Sequence, residues 1–164
     1  MLRAWWAPLV LSVAIPVAAG SAAGALTATR AQADYATLRK PAWSPPARAF
    51  GVVWPALYAL MGVAAWLVWA APATTESQRR TKRVALALYA AQLLVNLAWS
   101  FVYFTLGARA SALGVLLALD ALVLALLATS WRIDRRAALA LAPYGAWLAV
   151  ATALNASVVA MNPS

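Results

Sequence analysis

The chain is predicted to be an all-α membrane protein, a bundle of five transmembrane helices, and two observations carry that prediction. Within 164 residues lie five long stretches almost free of charge, and hydrophobic residues make up 65% of the composition against 10% charged. A helix needs about 20 apolar residues to cross the hydrocarbon layer, and each stretch is at least that long. Backbone polar groups in lipid have no water to bond, so long apolar runs resolve to helices. The aqueous parts are too short for a separate soluble domain, and residues 1–164 are read as one domain.

The first span is placed at 4–29. Arg3, the apolar run and small residues around 18–25 imitate a signal peptide. The run continues past them, however, and further spans follow, so this segment is expected to remain as a membrane helix. A long connection, 30–48, comes next. Its KPAWSPP stretch carries Pro41, Pro45 and Pro46, whose rings fix φ and restrict the preceding residues, so a structured lid is expected there. The second span, 49–72, precedes a basic turn at 76–83, and the third, 84–106, ends in a tight hairpin near Gly107. The fourth, 110–131, alone contains an ionisable side chain, Asp120. A carboxylate at mid-membrane costs about 2.5–3.5 kcal/mol on insertion scales, so Asp120 is expected to face the bundle and hold a hydrogen bond. A brief basic turn at 132–136 leads to the fifth span, 137–161. Short connections make sequential helices antiparallel neighbours.

The formal charge of +9 does not point to nucleic acid. Nearly every Lys and Arg falls between spans, where such residues set topology and meet lipid phosphates, and no basic face survives once the spans are placed. Membrane lipid is the expected partner of these charges. Arg3, the 79–83 cluster and 132–136 would share one side of the bilayer, and the smaller set from the first connection plus Arg109 the other. The positive-inside rule then favours a cytoplasmic N terminus. The chain contains neither His nor Cys, which removes zinc sites, disulfides, thiolate nucleophiles and histidine-ligated haem.

Gly20 and Gly24 form a G-x-x-x-G, and Ala87 with Ala91 a second pair of small residues at the same spacing. Such surfaces let helices approach closely, within the protomer first and at a homodimer seam second.

Nine tryptophans are far more than a chain of this length ordinarily carries. Trp5, Trp6, Trp66, Trp69 and Trp131 lie near span ends and fit an interfacial aromatic belt. Others form stripes. Trp54, Tyr58 and Met61 share a face of the second span, Asn96, Trp99 and Tyr103 a face of the third, and Tyr144, Trp147, Ala151 and Asn155 a face of the fifth. Each stripe pairs a ring with a hydrogen-bonding group, which lipid-facing positions do not favour. Two arrangements remain open from spacing alone. The stripes pack on one another with Asn96 and Asn155 as interhelical links, or they line a cavity for a planar apolar molecule. A ligand arriving from lipid gains no hydrophobic transfer energy, so stacking and hydrogen bonds would hold it. Trp43 sits in the proline-rich lid over such a cavity, with Arg39, Lys40 and Arg48 placed to meet carboxylates at the membrane surface.

The stretches YATLRKPAWSPP (35–46), FGVVWPALYALMG (50–62), AAQLLVNLAWSFVYF (90–104) and APYGAWLAVATALN (142–155) resemble, in order, the TspO/MBR family of bacterial tryptophan-rich sensory proteins and mitochondrial translocator proteins. The resemblance implies a five-helix bundle, usually a homodimer, that binds tetrapyrroles such as protoporphyrin IX or haem as ligands and requires no cofactor. It places the pocket at Tyr35, Trp54, Tyr58, Asn96, Trp99, Trp147 and Ala151. With Trp43 and Tyr103 from the lid and the stripe, these are the candidate ligand-binding residues; no catalytic residue is expected. The chain departs from the family pattern at Asp34, where a Trp usually precedes the Tyr. It departs again at Ala156 and Ala160, which replace the aromatic and basic residues of the animal cholesterol motif, so cholesterol binding is not expected. The function implied is a membrane receptor or regulator, with tetrapyrrole transport or light- and oxygen-dependent porphyrin degradation as alternatives. Its place is a bacterial cell membrane, inner and outer both open.

Overall fold

The computed structural model describes residues 6–163, and these are almost entirely helical, with no strand among them. The helices are α1, Trp6–Thr37; α2, Ala47–Ala70; α3, Glu76–Ser100, continued by a π turn at Phe101–Thr105; α4, Arg109–Ile133; and α5, Arg135–Met161. All five are long and apolar enough to cross a membrane, so the protein is an integral, multi-pass, all-α membrane bundle. Ala4, Trp5 and the topology residue Arg3 lie outside the described residues.

Helix ends differ from the predicted spans for one physical reason. The onset of charge marks where the chain leaves hydrocarbon, not where the helix stops. Thus α1 runs past Arg30 to Thr37, because Ala, Arg and Gln are good helix formers in water as well, and the lid shortens to 38–46. Likewise the basic stretch predicted as a turn at 76–83 forms the first two turns of α3. Its start is fixed by a capping box: the Thr75 hydroxyl accepts from the Gln78 N–H at 3.2 Å, and the Gln78 side chain accepts from the Thr75 N–H at 3.1 Å. The turn predicted at 132–136 contracts to Asp134, which ends α4 and caps α5 by accepting from the Arg136 N–H at 2.8 Å. Arg136 side-chain hydrogen bonds also hold the Asp134 carboxyl below the usual carboxylate range. The α3–α4 hairpin turns at Gly107, whose φ of +65° is left-handed and suits glycine.

The helices contact one another in the cyclic order α1, α2, α5, α4, α3, and the ring closes where α1 meets α3 and the π turn. Close approach of α1 to α2 depends on two glycines. A Cβ on Gly62 would stand 2.4 Å from the Ser12 carbonyl oxygen, and one on Gly20 2.0 Å from Cε2 of the Tyr58 ring. The glycine pair read from the sequence therefore divides. Gly20 packs inside the protomer, whereas a Cβ on Gly24 would meet nothing within 4 Å. Ala87, from the second small-residue pair, faces outward.

Below the lid end the bundle is solid. Met61, Leu116, Leu119, Leu141 and Tyr144 are each at most 1% exposed, and the outward faces carry Leu26, Leu94, Leu117 and Leu124, as expected where acyl chains are the solvent. Trp6, Trp69 and Trp131 are exposed at helix ends, the belt position. Asp120 is half-buried between α4 and α5 and accepts from the Thr152 hydroxyl at 2.8 Å.

Candidate ligand pocket

At the lid end the helices part around a cavity of about 550 Å³. Below the lid its α1 wall is bare of large side chains, presenting Gly20, Gly24, Thr27 and Ala31, with Gln32 and Tyr35 following toward the lid. The α2 wall presents Phe50, Trp54 and Tyr58, the third wall Trp99, Tyr103 and Phe104, and α5 contributes Ala151, Asn155 and Val158.

The rings form a continuous array. Trp54 stacks on Tyr58 with centroids 5.6 Å apart and planes 29° apart, and lies 6.4 Å from Trp99 at 30°. Trp99 continues to Tyr103 at 5.5 Å and to Phe104 at 5.9 Å. Adjacent residues of a regular helix point about 100° apart, yet Tyr103 and Phe104 both line the cavity. The π turn reconciles this: the Leu106 N–H bonds to the Phe101 carbonyl at 3.1 Å, an i→i+5 bond that widens the turn.

Beneath the rings lies a buried polar link. The Tyr58 hydroxyl donates to Asn96 Oδ1 at 2.7 Å, and Asn96 Nδ2 donates to the Tyr144 hydroxyl at 3.2 Å, joining α2, α3 and α5. This holds the Tyr58 ring as the cavity floor. Two polar atoms on lining residues have no hydrogen-bond partner among the described residues, the Trp99 indole N–H and Asn155 Oδ1, and both are buried. Buried polar groups are nearly always paired, so these two atoms stand out, although each is shut off from the cavity by the atoms packed around it.

The lid is tied at both ends. The Tyr35 hydroxyl donates to the Pro45 carbonyl at 2.7 Å. The Lys40 ammonium lies 4.4 Å over the Tyr35 ring and donates to the carbonyls of Tyr35 and Leu38. Arg39 and Asn162 exchange two hydrogen bonds of 3.0 Å, fastening the lid to the end of α5.

Of the residues singled out from the sequence, Tyr35, Trp54, Tyr58, Trp99, Tyr103 and Ala151 line this one cavity. Asn96 does not; it lies behind the floor, 1% exposed, and positions Tyr58. Trp147 stands behind Phe50, edge-on at 5.7 Å. Trp43 does not line the cavity and is 52% exposed, in the turn of the lid. Neither Arg39 nor Arg48 lines the cavity, and Lys40 is committed to lid carbonyls. Sequence reasoning missed Phe50, which sits four residues before Trp54 on the same stripe, and the α1 wall apart from Tyr35.

Comparisons to known proteins identify the family. The TspO/MBR family profile matches residues 12–161. The chain is 33% identical over 156 residues to the tryptophan-rich protein TspO of Chlorobaculum tepidum, covering 94% of this chain and 96% of that one. It is 36% identical over 129 residues to protein CrtK of Rhodobacter capsulatus, covering 79% and 78%. Against the human translocator protein it is 38% identical over 123 residues, covering 74% and 70%. Five spanning helices, a ring-lined cavity under a proline-rich lid and a match across nearly the whole sequence lead to one conclusion: the chain belongs to the TspO/MBR family.

Proposed function

We propose that this protein is a membrane receptor or regulator that binds a porphyrin-type tetrapyrrole in the cavity beneath the lid. The observation that carries the reading is the cavity itself. Its volume of about 550 Å³ falls within the about 300–1,000 Å³ typical of small-molecule sites. Its aromatic lining, with Tyr58 and Trp99 each inclined about 30° to Trp54, suits a flat conjugated ring. Each well-placed aromatic pair supplies about 0.5–1.5 kcal/mol. Three or four supply about 2–6 kcal/mol without hydrophobic transfer energy, a large share of the about 8 kcal/mol that micromolar affinity requires.

The metal-free macrocycle, protoporphyrin IX, fits this lining better than haem. His and Cys are absent, and the hydroxyls of Tyr35 and Tyr58 are committed to Pro45 and Asn96, so neither an imidazole, a thiolate nor either of these two phenols is ready to bind iron.

Relatives carry the names tryptophan-rich sensory protein and translocator protein, which point toward regulation and toward transport respectively. Receptor function is favoured by what lies below the floor. Tyr58, Asn96 and Tyr144 bridge the bundle, and Met61 and Gln92 are fully buried beneath them, leaving a blind pocket rather than a path. Titration of protoporphyrin IX against intrinsic tryptophan fluorescence tests the reading. Saturable quenching that weakens in Trp54→Ala and Trp99→Ala is the expected result; unchanged emission in the intact protein would overturn it.

A further inference from the structure

We infer that Arg109 is a carboxylate-binding residue of this pocket and that Asp34 occupies it as an internal competitor, setting the preference between acidic and neutral ligands. The inference rests on the pocket reading above. Arg109 opens α4, directly behind the cavity wall, and three cavity-lining residues surround it. Its Nη2 donates to Asp34 Oδ1 at 2.9 Å. Its guanidinium carbon lies 6.0 Å from the centroid of the Tyr103 ring. Its backbone carbonyl accepts from Asn155 Nδ2 at 3.1 Å, which positions the start of α4 against α5.

The pairing between Asp34 and Arg109 is incomplete. One N–H···O contact joins them, and Arg109 Nε is buried with no partner among the described residues. Arginine recognises a carboxylate best through two parallel bonds, so the guanidinium retains unused donor capacity behind Asp34, which is the member of the pair that lines the cavity. Asn155, 2% exposed, leaves Oδ1 unpaired at the same corner. The pair is also partly shielded, with side-chain exposures of 29% for Arg109 and 22% for Asp34, so it is less screened than a surface bridge.

Among the described residues no other cation stands ready at the cavity. Lys40 lines it but is held by the carbonyls of Tyr35 and Leu38. A ligand bearing a carboxylate at its rim can therefore engage Arg109 only by displacing Asp34. A ligand without one stacks on the rings and leaves the pair intact.

The test compares protoporphyrin IX, a diacid, with its dimethyl ester, titrating each against the detergent-solubilised full chain by tryptophan quenching. The intact protein should bind the two with similar affinity, because Asp34 cancels the advantage of the acid. Asp34→Asn and Asp34→Ala should each raise the diacid-to-ester affinity ratio about tenfold, as expected for an unopposed charge-assisted pair. Adding Arg109→Gln to Asp34→Asn should return the ratio to its starting value. Because the readout is a ratio within one preparation, partial misfolding of a variant lowers both signals alike and leaves it readable. A ratio unmoved by removing Asp34, or a gain that survives Arg109→Gln, overturns the inference while the pocket stands. Failure of both porphyrins to bind the intact protein overturns the pocket reading, and this inference with it.

Discussion

Gly20→Ala places the sharpest demand on the reasoning. The added methyl would stand 2.0 Å from Cε2 and 2.4 Å from Cζ of Tyr58, inside van der Waals contact by well over an ångström. Tyr58 is 5% exposed and bonded to Asn96, so its ring cannot step aside without leaving the floor of the cavity. Overpacking of this kind costs about 1–3 kcal/mol. If the ring moves instead, the loss is an interhelical hydrogen bond worth about 0.6 kcal/mol in membrane bundles and a stack on Trp54 worth about 0.5–1.5 kcal/mol. Both routes involve one side chain, so they do not sum, and about 2 kcal/mol is expected. Gly24→Ala is the matched control, because one turn away the same methyl meets nothing within 4 Å. Unfolding in mixed micelles, followed by circular dichroism, reads stability, and protoporphyrin titration reads the floor. The Gly20→Ala protein should be destabilised and bind more weakly, with Gly24→Ala indistinguishable from the parent by stability. Tyr58→Ala should cost less in the Gly20→Ala background than alone, since the clash is relieved. Equal stability of the two glycine variants, or additive costs in the double variant, would refute the packing described.

Other consequences are open to measurement. Trp54→Ala and Trp99→Ala should each weaken protoporphyrin binding by about 1 kcal/mol, roughly fivefold, whereas Trp43→Ala should leave the affinity unchanged; parallel quenching titrations compare them. Asn96→Leu should destabilise the bundle more than Tyr58→Phe, by about 1 kcal/mol, because it leaves both the Tyr58 and Tyr144 hydroxyls without their shared partner. Asp134→Ala removes the α5 cap and should cost about 1 kcal/mol at neutral pH. Arg136 lowers the Asp134 carboxyl on folding, so this contribution is present above the unfolded value and disappears as pH falls through the folded one. The stability gap between Asp134→Ala and the parent should therefore close in acid, which unfolding curves taken down to about pH 3 would follow.

The spans and the three aromatic stripes were legible because both follow helical periodicity, and helices α2, α3 and α5 bring those stripes together. Position along a stripe was less legible than membership of it. Asn96 and Trp99 are one turn apart, yet Trp99 lines the cavity while Asn96 is sealed behind Tyr58. Which residue ends on the wall depends on helix depth, and a periodic pattern does not encode depth. Trp43 was drawn in by its company of prolines, but rigidity of a segment does not say which way its ring points. The α1 wall was hidden for the opposite reason. Gly20, Gly24, Thr27 and Ala31 contribute space, not side chains, and their spacing reads equally as a helix-packing surface. The π turn left no mark, since aromatic residues such as those at 101–104 also occur in ordinary helices.

Helix α1 spans 32 residues, about 48 Å at 1.5 Å per residue, against a hydrocarbon layer of about 30 Å. Its final turns, bearing Ala31, Asp34 and Tyr35, therefore stand at headgroup depth, and the chamber they enclose opens where amphiphilic pigments already concentrate. A membrane of different thickness would immerse a different fraction of those turns or tilt the helix. For the tetrapyrrole site proposed here, occupancy is expected to change in a graded way with acyl-chain length, which reconstitution in short- and long-chain phosphatidylcholines would measure.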